Sequence, residues 1–108
     1  MVQIIWEFRV RPECVQEFES HYGSRGTWAK LFERSAEFQG TALVRDMHDT
    51  QRYLTIDRWL GVESFEKFRR EFREEYEHLD HRCERLAESE CRIGVCADVD
   101  EVLSSDDL

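Results

Sequence analysis

The stretch VESFEKFRREFREEYEHLDHRCERL, residues 62–86, carries the strongest periodic signal in the chain. Spacings of three and four residues separate its apolar side chains, which are Val62, Phe65, Phe68, Phe72, Tyr76, Leu79, Cys83 and Leu86. Such spacing places them on one side of an α-helix. We therefore predict a long amphipathic helix that starts after Gly61, buries one apolar stripe and kinks near residues 74–75.

Segments with strand character lie on both sides of this helix. Residues 2–10 (VQIIWEFRV) alternate between a strongly apolar face and a mixed face. Residues 41–47 and 52–59 are separated only by a short polar turn, so they read as a hairpin. The alternation within residues 52–59 leaves open which of its faces points to the core. Residues 90–97 (ECRIGVCA) are the predicted last strand.

The segment between the first two strands is predicted to be a helix in two pieces. Pro12 suits a first helical turn, and two glycines in YGSRGTW, residues 22–28, interrupt the apolar spacing. The second piece is expected to end at Gly40. The apolar residues of the two pieces are Val15, Phe18, Tyr22, Trp28, Leu31, Phe32 and Phe38.

The predicted order of elements is β-α-β-β-α-β, a ferredoxin-like α+β domain with a four-stranded antiparallel sheet and helices on one face. The uncovered face would carry Ile5 and other apolar side chains, so we predict a homodimer through this open sheet face. The domain is assigned to residues 1–97. Residues 98–108 hold five acids and no base and are interpreted as an acidic C-terminal tail.

Composition narrows the class of protein. The chain has 108 residues, the length of one domain, with 24 acids and 15 bases and a net charge of −9. This charge disfavours nucleic acid and anionic membranes as partners. We predict a cytoplasmic protein with reduced cysteines, because no apolar run suits a signal or a membrane span. Cys91 and Cys96, five apart on one strand, are expected on opposite faces.

Several segments resemble the antibiotic biosynthesis monooxygenase (ABM) family. They are residues 2–12 (VQIIWEFRVRP), 38–46 (FQGTALVRD), 53–68 (YLTIDRWLGVESFEKF) and the helix that follows. HYGSRGTWAKLF, from residue 21, resembles the first helix of a poorly characterised subgroup. The resemblance implies a dimeric α+β barrel. It leaves the reaction open, because the family includes cofactor-free oxygenases, haem-degrading enzymes and members with no known reaction.

The implied fold has a cavity between the helices and the sheet. A cavity rich in aromatic side chains suits a flat, apolar ligand. The alternative is that the rings simply fill the core. The expected substrate-binding residues are Trp6, Phe8, Tyr22, Trp28, Phe68 and Phe72.

His78 is the predicted catalytic base. A cofactor-free oxygenase needs a base that converts its substrate to an anion, and the ordinary pKa of histidine lies near neutrality. The alternative is a surface histidine that pairs with Glu74 or Arg82 along the helix. No metal site is predicted in YEHLDHRCERL, residues 76–86, because the helical turn spreads its ligand-type side chains apart.

The resemblance also bears on haem and on one acid. In the haem-degrading relatives, the histidine that holds the iron aligns with His78, whereas two assisting positions fall on Phe8 and Phe68 and do not match. The expectation is therefore no cofactor, with haem binding as an alternative. Asp57, an acid inside a strand, either pairs with an arginine such as Arg9 or Arg45 across the sheet or faces a dimer cavity.

Two functions follow as hypotheses. The first is a cofactor-independent monooxygenase that acts on a small aromatic or polyketide-like compound. The second is a non-catalytic dimeric module that binds a hydrophobic ligand or haem.

Overall fold

The computed structural model describes residues 1–100, and its elements follow the predicted β-α-β-β-α-β order. The strands are β1 (Val2–Val10), β2 (Phe38–Arg45), β3 (Arg52–Trp59) and β4 (Ala87–Ala97). The helices are α1 (Val15–Tyr22), α2 (Thr27–Phe32), α3 (Val62–Glu71) and α4 (Arg73–Cys83). The ferredoxin-like fold is thus confirmed. Most of the predicted acidic tail, residues 101–108, lies outside the described residues.

The sheet is antiparallel, with strand order β2-β3-β1-β4. Trp6 of β1 pairs with Thr55 of β3, and Phe8 pairs with Tyr53. Paired residues point to the same side of a sheet, so the odd residues of β3 share the helix-covered face with the even residues of β1. This register settles the alternation that the sequence left open.

A bulge in β4 changes which face its residues occupy. Ile5 of β1 pairs with Gly94, but the next residue of β1 pairs with Arg92, so Ile93 is an extra residue. Cys91 therefore pairs opposite Glu7, and Cys96 pairs opposite Gln3. Both thiols lie on the open sheet face, and the prediction of opposite faces was wrong. All four cysteines of the chain are free thiols.

The long helix breaks at Phe72, where φ is −113° and ψ is 35°. The break falls two residues before the predicted kink and separates α3 from α4. The hydrogen bond from the Phe72 N–H to the Phe68 carbonyl, at 2.9 Å, closes α3. The apolar stripe continues across the break, since Phe65, Phe68, Leu79 and Cys83 are all buried.

The turn between α1 and α2 requires its glycines. A Cβ on Gly26 would lie 2.6 Å from the Ser20 carbonyl oxygen, and one on Gly23 would lie 2.8 Å from that of Glu19. The turn thus brings backbone directly against backbone. Gly40 was predicted to end the second helical piece, and this prediction was wrong. It lies within β2 at a register shift, with φ of 111°.

Aromatic rings dominate the core between the sheet and the helices. Trp59 is fully buried, and the ring centroids of Phe32, Phe65 and Phe68 lie 5.4 to 5.5 Å from its own. Contacts of this kind suit edge-to-face and tilted packing. Phe18 and Tyr53 close the other end of the core, with centroids 5.2 Å apart.

Candidate functional site

A cavity of about 130 Å³ lies between the sheet and the helices. A cavity of about 150 Å³ in another protein holds benzene, so this one has room for about one aromatic ring. The sheet contributes Trp6, Phe8, Thr41, Thr55, Asp57 and Glu90. The helices contribute Tyr22, Trp28, Phe32, Arg69, Tyr76 and Asp80.

The break between α1 and α2 places two aromatic side chains in the cavity wall. Tyr22 is the last residue of α1, and its ring lies 4.9 Å from that of Phe8. Trp28 is the second residue of α2, and its ring lies 6.0 Å from Tyr22 and 5.0 Å from Tyr76. An uninterrupted helix would have rotated one of the two away, since successive residues turn by about 100°.

Asp57 supplies a carboxylate to this aromatic cavity. It pairs with Thr41 in the sheet register, and the Thr41 hydroxyl donates a hydrogen bond of 2.5 Å to its Oδ1. Burial raises the pKa of Asp57 to about 6, and the hydrogen bond from Thr41 partly opposes this rise. Neither predicted alternative describes Asp57. The Arg9 guanidinium binds Asp49 at 2.6 Å, and Asp57 forms no salt bridge with Arg45 or any other arginine within residues 1–100. The cavity that it faces lies between the sheet and the helices of one chain, not in a dimer interface.

The wall also holds a buried hydrogen-bond donor. The Nε1–H group of Trp28 has no acceptor among the described residues, although the residue is only 7% exposed. Trp59 shares this property, but it lies in the core and outside the cavity wall. Unpaired buried donors are uncommon because each costs free energy. An acceptor atom beside the Trp28 N–H would satisfy this donor.

Charged side chains surround the mouth of the cavity. Asp80 of α4 and Glu90 of β4 both have raised pKa values, chiefly through burial, and Asp80 raises that of Glu90 further. The Arg69 guanidinium lies 5.0 Å from the centre of the Tyr76 ring. Burial raises the pKa of Tyr76 to about 12, and Arg69 lowers it in part. Both tyrosines of the wall, Tyr22 included, therefore stay protonated at neutral pH.

The proposed substrate-binding residues divide into two groups. Trp6, Phe8, Tyr22 and Trp28 lie in the cavity wall. Phe68 and Phe72 do not, so their prediction as substrate-binding residues was wrong for this cavity. Phe68 is 1% exposed, and its ring centroid lies 5.5 Å from that of Trp59. The Phe72 ring stacks on Phe68 at 4.9 Å, and the Arg34 guanidinium lies 4.5 Å from the Phe72 ring centre. These two rings fill the core beneath α3.

His78, the proposed base, lies outside the cavity. Its side chain is exposed and makes no hydrogen bond or ion pair within residues 1–100. The helical turn explains its position, because Tyr76, Leu79 and Cys83 point inward and His78 is about 130° away from their mean direction. Asp80 is about 70° from that direction, which brings it to the cavity mouth.

Haem does not fit the site that these residues form. None of the four histidines lines the cavity: His21 contacts Thr27 at 2.9 Å, His81 pairs with Glu84, and His48 and His78 are exposed. The space admits about one ring, whereas a porphyrin has four pyrroles. Among residues 1–100, no cluster of three metal-ligand side chains occurs.

Sequence reasoning did not select the polar members of the wall. Thr41 and Thr55 carry no signal beyond the strand alternation, and Arg69, Asp80 and Glu90 read as ordinary charged surface. Only Asp57 stood out, as an acid within a strand.

The architecture places the chain in the class of ferredoxin-like α+β domains that enclose a cavity between sheet and helices. Within this class it has the fold of the antibiotic biosynthesis monooxygenases, as the sequence resemblance implied. It is similar to the solved structure of a putative antibiotic biosynthesis monooxygenase from Bordetella bronchiseptica. The TM-score is 0.71 at 20% identity, covering 91% of this chain and 96% of the other.

Two further structures show the range of chemistry on this fold. One is a variant of SnoaB, a cofactor-independent oxygenase from Streptomyces nogalater, with a TM-score of 0.71 and 20% identity over 95% of this chain and 97% of that one. The other is a variant of MhuD with two manganese protoporphyrin IX molecules per active site, with a TM-score of 0.70 and 21% identity over 96% and 100%.

Comparisons of sequence add no narrower assignment. No family model and no curated protein matches the chain. Within residues 1–100, no helix is both long and apolar enough to cross a membrane. The solved structures therefore support the fold, and they do not specify a reaction for this chain.

Proposed function

We propose that this protein binds a small hydroxylated aromatic molecule and acts on it as a cofactor-independent monooxygenase, with Asp57 as the base. One observation carries the proposal: a carboxylate whose pKa is about 6 lies in a cavity with the size and aromatic wall that suit a single ring. His78, the base predicted from the sequence, lies outside the cavity and has no part in this proposal.

The chemistry follows from the position of Asp57. Above its pKa the carboxylate accepts the proton of a ring hydroxyl, and a base whose pKa lies near the working pH is effective in this step. The resulting phenolate is rich in electrons and can reduce oxygen directly. The buried wall formed by Phe8 and Trp28 excludes water from the anion.

The reaction balances for 1,4-dihydroxybenzene. The ring and one oxygen molecule give 2-hydroxy-1,4-benzoquinone and one water molecule. The ring loses four electrons and oxygen gains four; one oxygen atom stays on the ring and the other leaves as water. No other reductant is consumed, because the substrate supplies all of the electrons.

The test is oxygen uptake with 1,4-dihydroxybenzene, with the quinone product identified after reaction under labelled oxygen. Asp57→Asn should abolish enzymatic uptake, whereas Asp49→Asn, which removes a carboxylate outside the cavity, should not. Thr41→Val removes the hydrogen bond that lowers the pKa of Asp57, so the pH profile should move to higher pH. If oxygen uptake is unchanged in Asp57→Asn, Asp57 is not the base.

The non-catalytic hypothesis is retained as the rival. It predicts that the ring binds in the cavity, measured by titration calorimetry and by a shift of the Trp28 indole N–H resonance, without any oxygen uptake by the wild-type protein. Binding with no turnover of 1,4-dihydroxybenzene would favour this rival.

We also propose that the protein is a homodimer through its open sheet face. Ile5, Ile56 and Ala42 form one apolar row across this face, and Leu54 and Val44 form the next. Ion pairs border these rows. Arg58–Asp98 at 3.0 Å lies at one end of the face and Arg9–Asp49 at 2.6 Å at the other, while Arg52 binds Glu7 at 2.9 Å, opposite Leu54 in the second row. The face thus combines apolar rows with charged side chains that are already paired within one chain, and such a surface suits contact with a second copy.

Ile56→Glu tests the dimer by sedimentation, because it would bury an unpaired carboxylate twice in a symmetric interface. The matched control is Val62→Glu, which places the same charge on an exposed position of α3. A wild-type monomer, or equal effects of the two changes, would contradict the dimer. The cytoplasmic location stays a prediction, supported by the four free thiols.

A further inference from the structure

A groove along α3 and α4 adjoins the cavity. The groove has a volume of about 350 Å³ and is lined by Glu66, Arg69, Arg70, Arg73, Tyr76 and Glu77. Arg69 and Tyr76 belong to both the cavity wall and the groove, so the two spaces meet at these side chains. A ligand whose ring fills the cavity would extend its substituent past this pair.

The groove is basic in an otherwise acidic chain. Three arginines face two glutamates there, although the chain as a whole carries a net charge of −9. Arg73 pairs with Glu77 at 3.1 Å, whereas Arg69 and Arg70 form no salt bridge within residues 1–100. The stacking of Arg69 on the Tyr76 ring holds one of these guanidinium groups at the boundary with the cavity.

We propose that this groove binds the carboxylate of a ligand whose ring occupies the cavity. The substrate class is thereby a hydroxyphenyl ring with an anionic side chain, and this inference rests on the proposed function of the cavity. Guanidinium groups present paired N–H donors that match the two oxygens of a carboxylate. Arg69 is positioned to contact the carboxylate first, and Arg70 lies beyond it along α3.

An acidic extension on the other side of the cavity is the competing site. It measures about 190 Å³, includes Glu84, Glu88 and Glu90, and would suit an amine. Acids outnumber bases across the whole chain, so a set of glutamates there differs little from the rest of the surface. Two adjacent arginines that form no salt bridge within residues 1–100 do differ from it, and the basic groove is also the larger space.

Three probes with the same ring separate these possibilities. 4-Hydroxyphenylacetate carries a carboxylate, 4-hydroxyphenylacetamide is neutral, and tyramine carries an amine. Titration calorimetry of the full chain should show that the carboxylate binds about tenfold more tightly than the amide. That preference should shrink at high salt, because the arginines are exposed.

Variants then assign the preference to the groove. Arg70→Gln should weaken binding of the carboxylate about threefold, and Arg69→Gln with Arg70→Gln should remove the preference over the amide. Lys67→Gln removes the same charge from α3 outside the groove and should leave the preference intact. Binding of the amide should be unchanged in Arg70→Gln, which shows that the variant is folded.

The outcomes distinguish this inference from the proposed function. Equal binding of the carboxylate and the amide, or tightest binding of tyramine, would overturn the basic groove and leave the ring site standing. An equal loss of the preference in Lys67→Gln and Arg70→Gln would also overturn it. Failure of all three probes to bind would reject the ring site itself.

Discussion

Replacement of Asp57 by asparagine should stabilise the protein at neutral pH. The ordinary pKa of the carboxyl group is 3.8, and burial raises it to about 6 in the folded state. The folded state therefore binds the proton more tightly than the unfolded state. Stability is greatest when Asp57 is protonated and falls as the pH rises from 3.8 towards 6.

The magnitude follows from the two pKa values. Each pKa unit corresponds to about 1.4 kcal/mol, so ionised Asp57 costs the folded state about 3 kcal/mol above pH 6. Asparagine has nearly the same shape, carries no charge and can still accept the hydrogen bond from Thr41. The stability gain from Asp57→Asn should therefore grow by about 2 kcal/mol between about pH 4.5 and about pH 7.5.

Urea unfolding at a series of pH values measures this gain. Asp98→Asn is the matched control, since hydrogen bonds from Gln3 and Arg58 hold the pKa of Asp98 below its usual range. Asp98→Asn should lower the free energy of unfolding at neutral pH, and its difference from the wild type should disappear in acid. A gain from Asp57→Asn that does not change with pH, or that grows in acid, would refute the reasoning. Such an Asp57 would also be a poor base.

Three further predictions concern the turn between α1 and α2, the exposed His78 and the core. Gly26→Ala should cost about 1–3 kcal/mol because its Cβ would meet the Ser20 carbonyl, whereas Gly61→Ala, with open space around it, should change the free energy of unfolding by less than about 1 kcal/mol. His78→Ala should leave ring binding and oxygen uptake unchanged, since the side chain is exposed; a tenfold loss would restore it as the base. Phe68→Ala should lower the free energy of unfolding, measured in urea, by about 3–5 kcal/mol. The folded protein should bind the ring with an affinity within about twofold of the wild type. A selective loss of affinity would show that Phe68 contacts the ligand.

Elements with a strong period were predictable from the sequence. The stripe from Val62 to Leu86 and the alternation of residues 2–10 specify a helix and a strand because each must bury one side. The glycines between Tyr22 and Trp28 predicted the divided helix, and the structure shows why they are needed. These features depend on local chemistry, which a single sequence displays.

The sheet face or helix side on which a particular side chain lies was not predictable. Because Ile93 is an extra residue in β4, the residues before it lie on the opposite sheet face from the one that simple alternation predicts. Only the neighbouring Gly94 indicates this bulge in the sequence. Whether Asp57 faced the cavity depended on the pairing of β3 with β1, which alternation alone does not specify. His78 was misplaced because one step along a helix turns a side chain by about 100°.

The positions of the three tryptophans separate two optical signals. Trp6 and Trp28 lie in the cavity wall, whereas Trp59 is enclosed by phenylalanine rings in the core. The emission of the first two should respond to an occupant of the cavity, while that of Trp59 should respond to loss of the core. In a variant with Trp6→Phe and Trp28→Phe, the fluorescence of Trp59 would therefore report unfolding with little interference from a ligand.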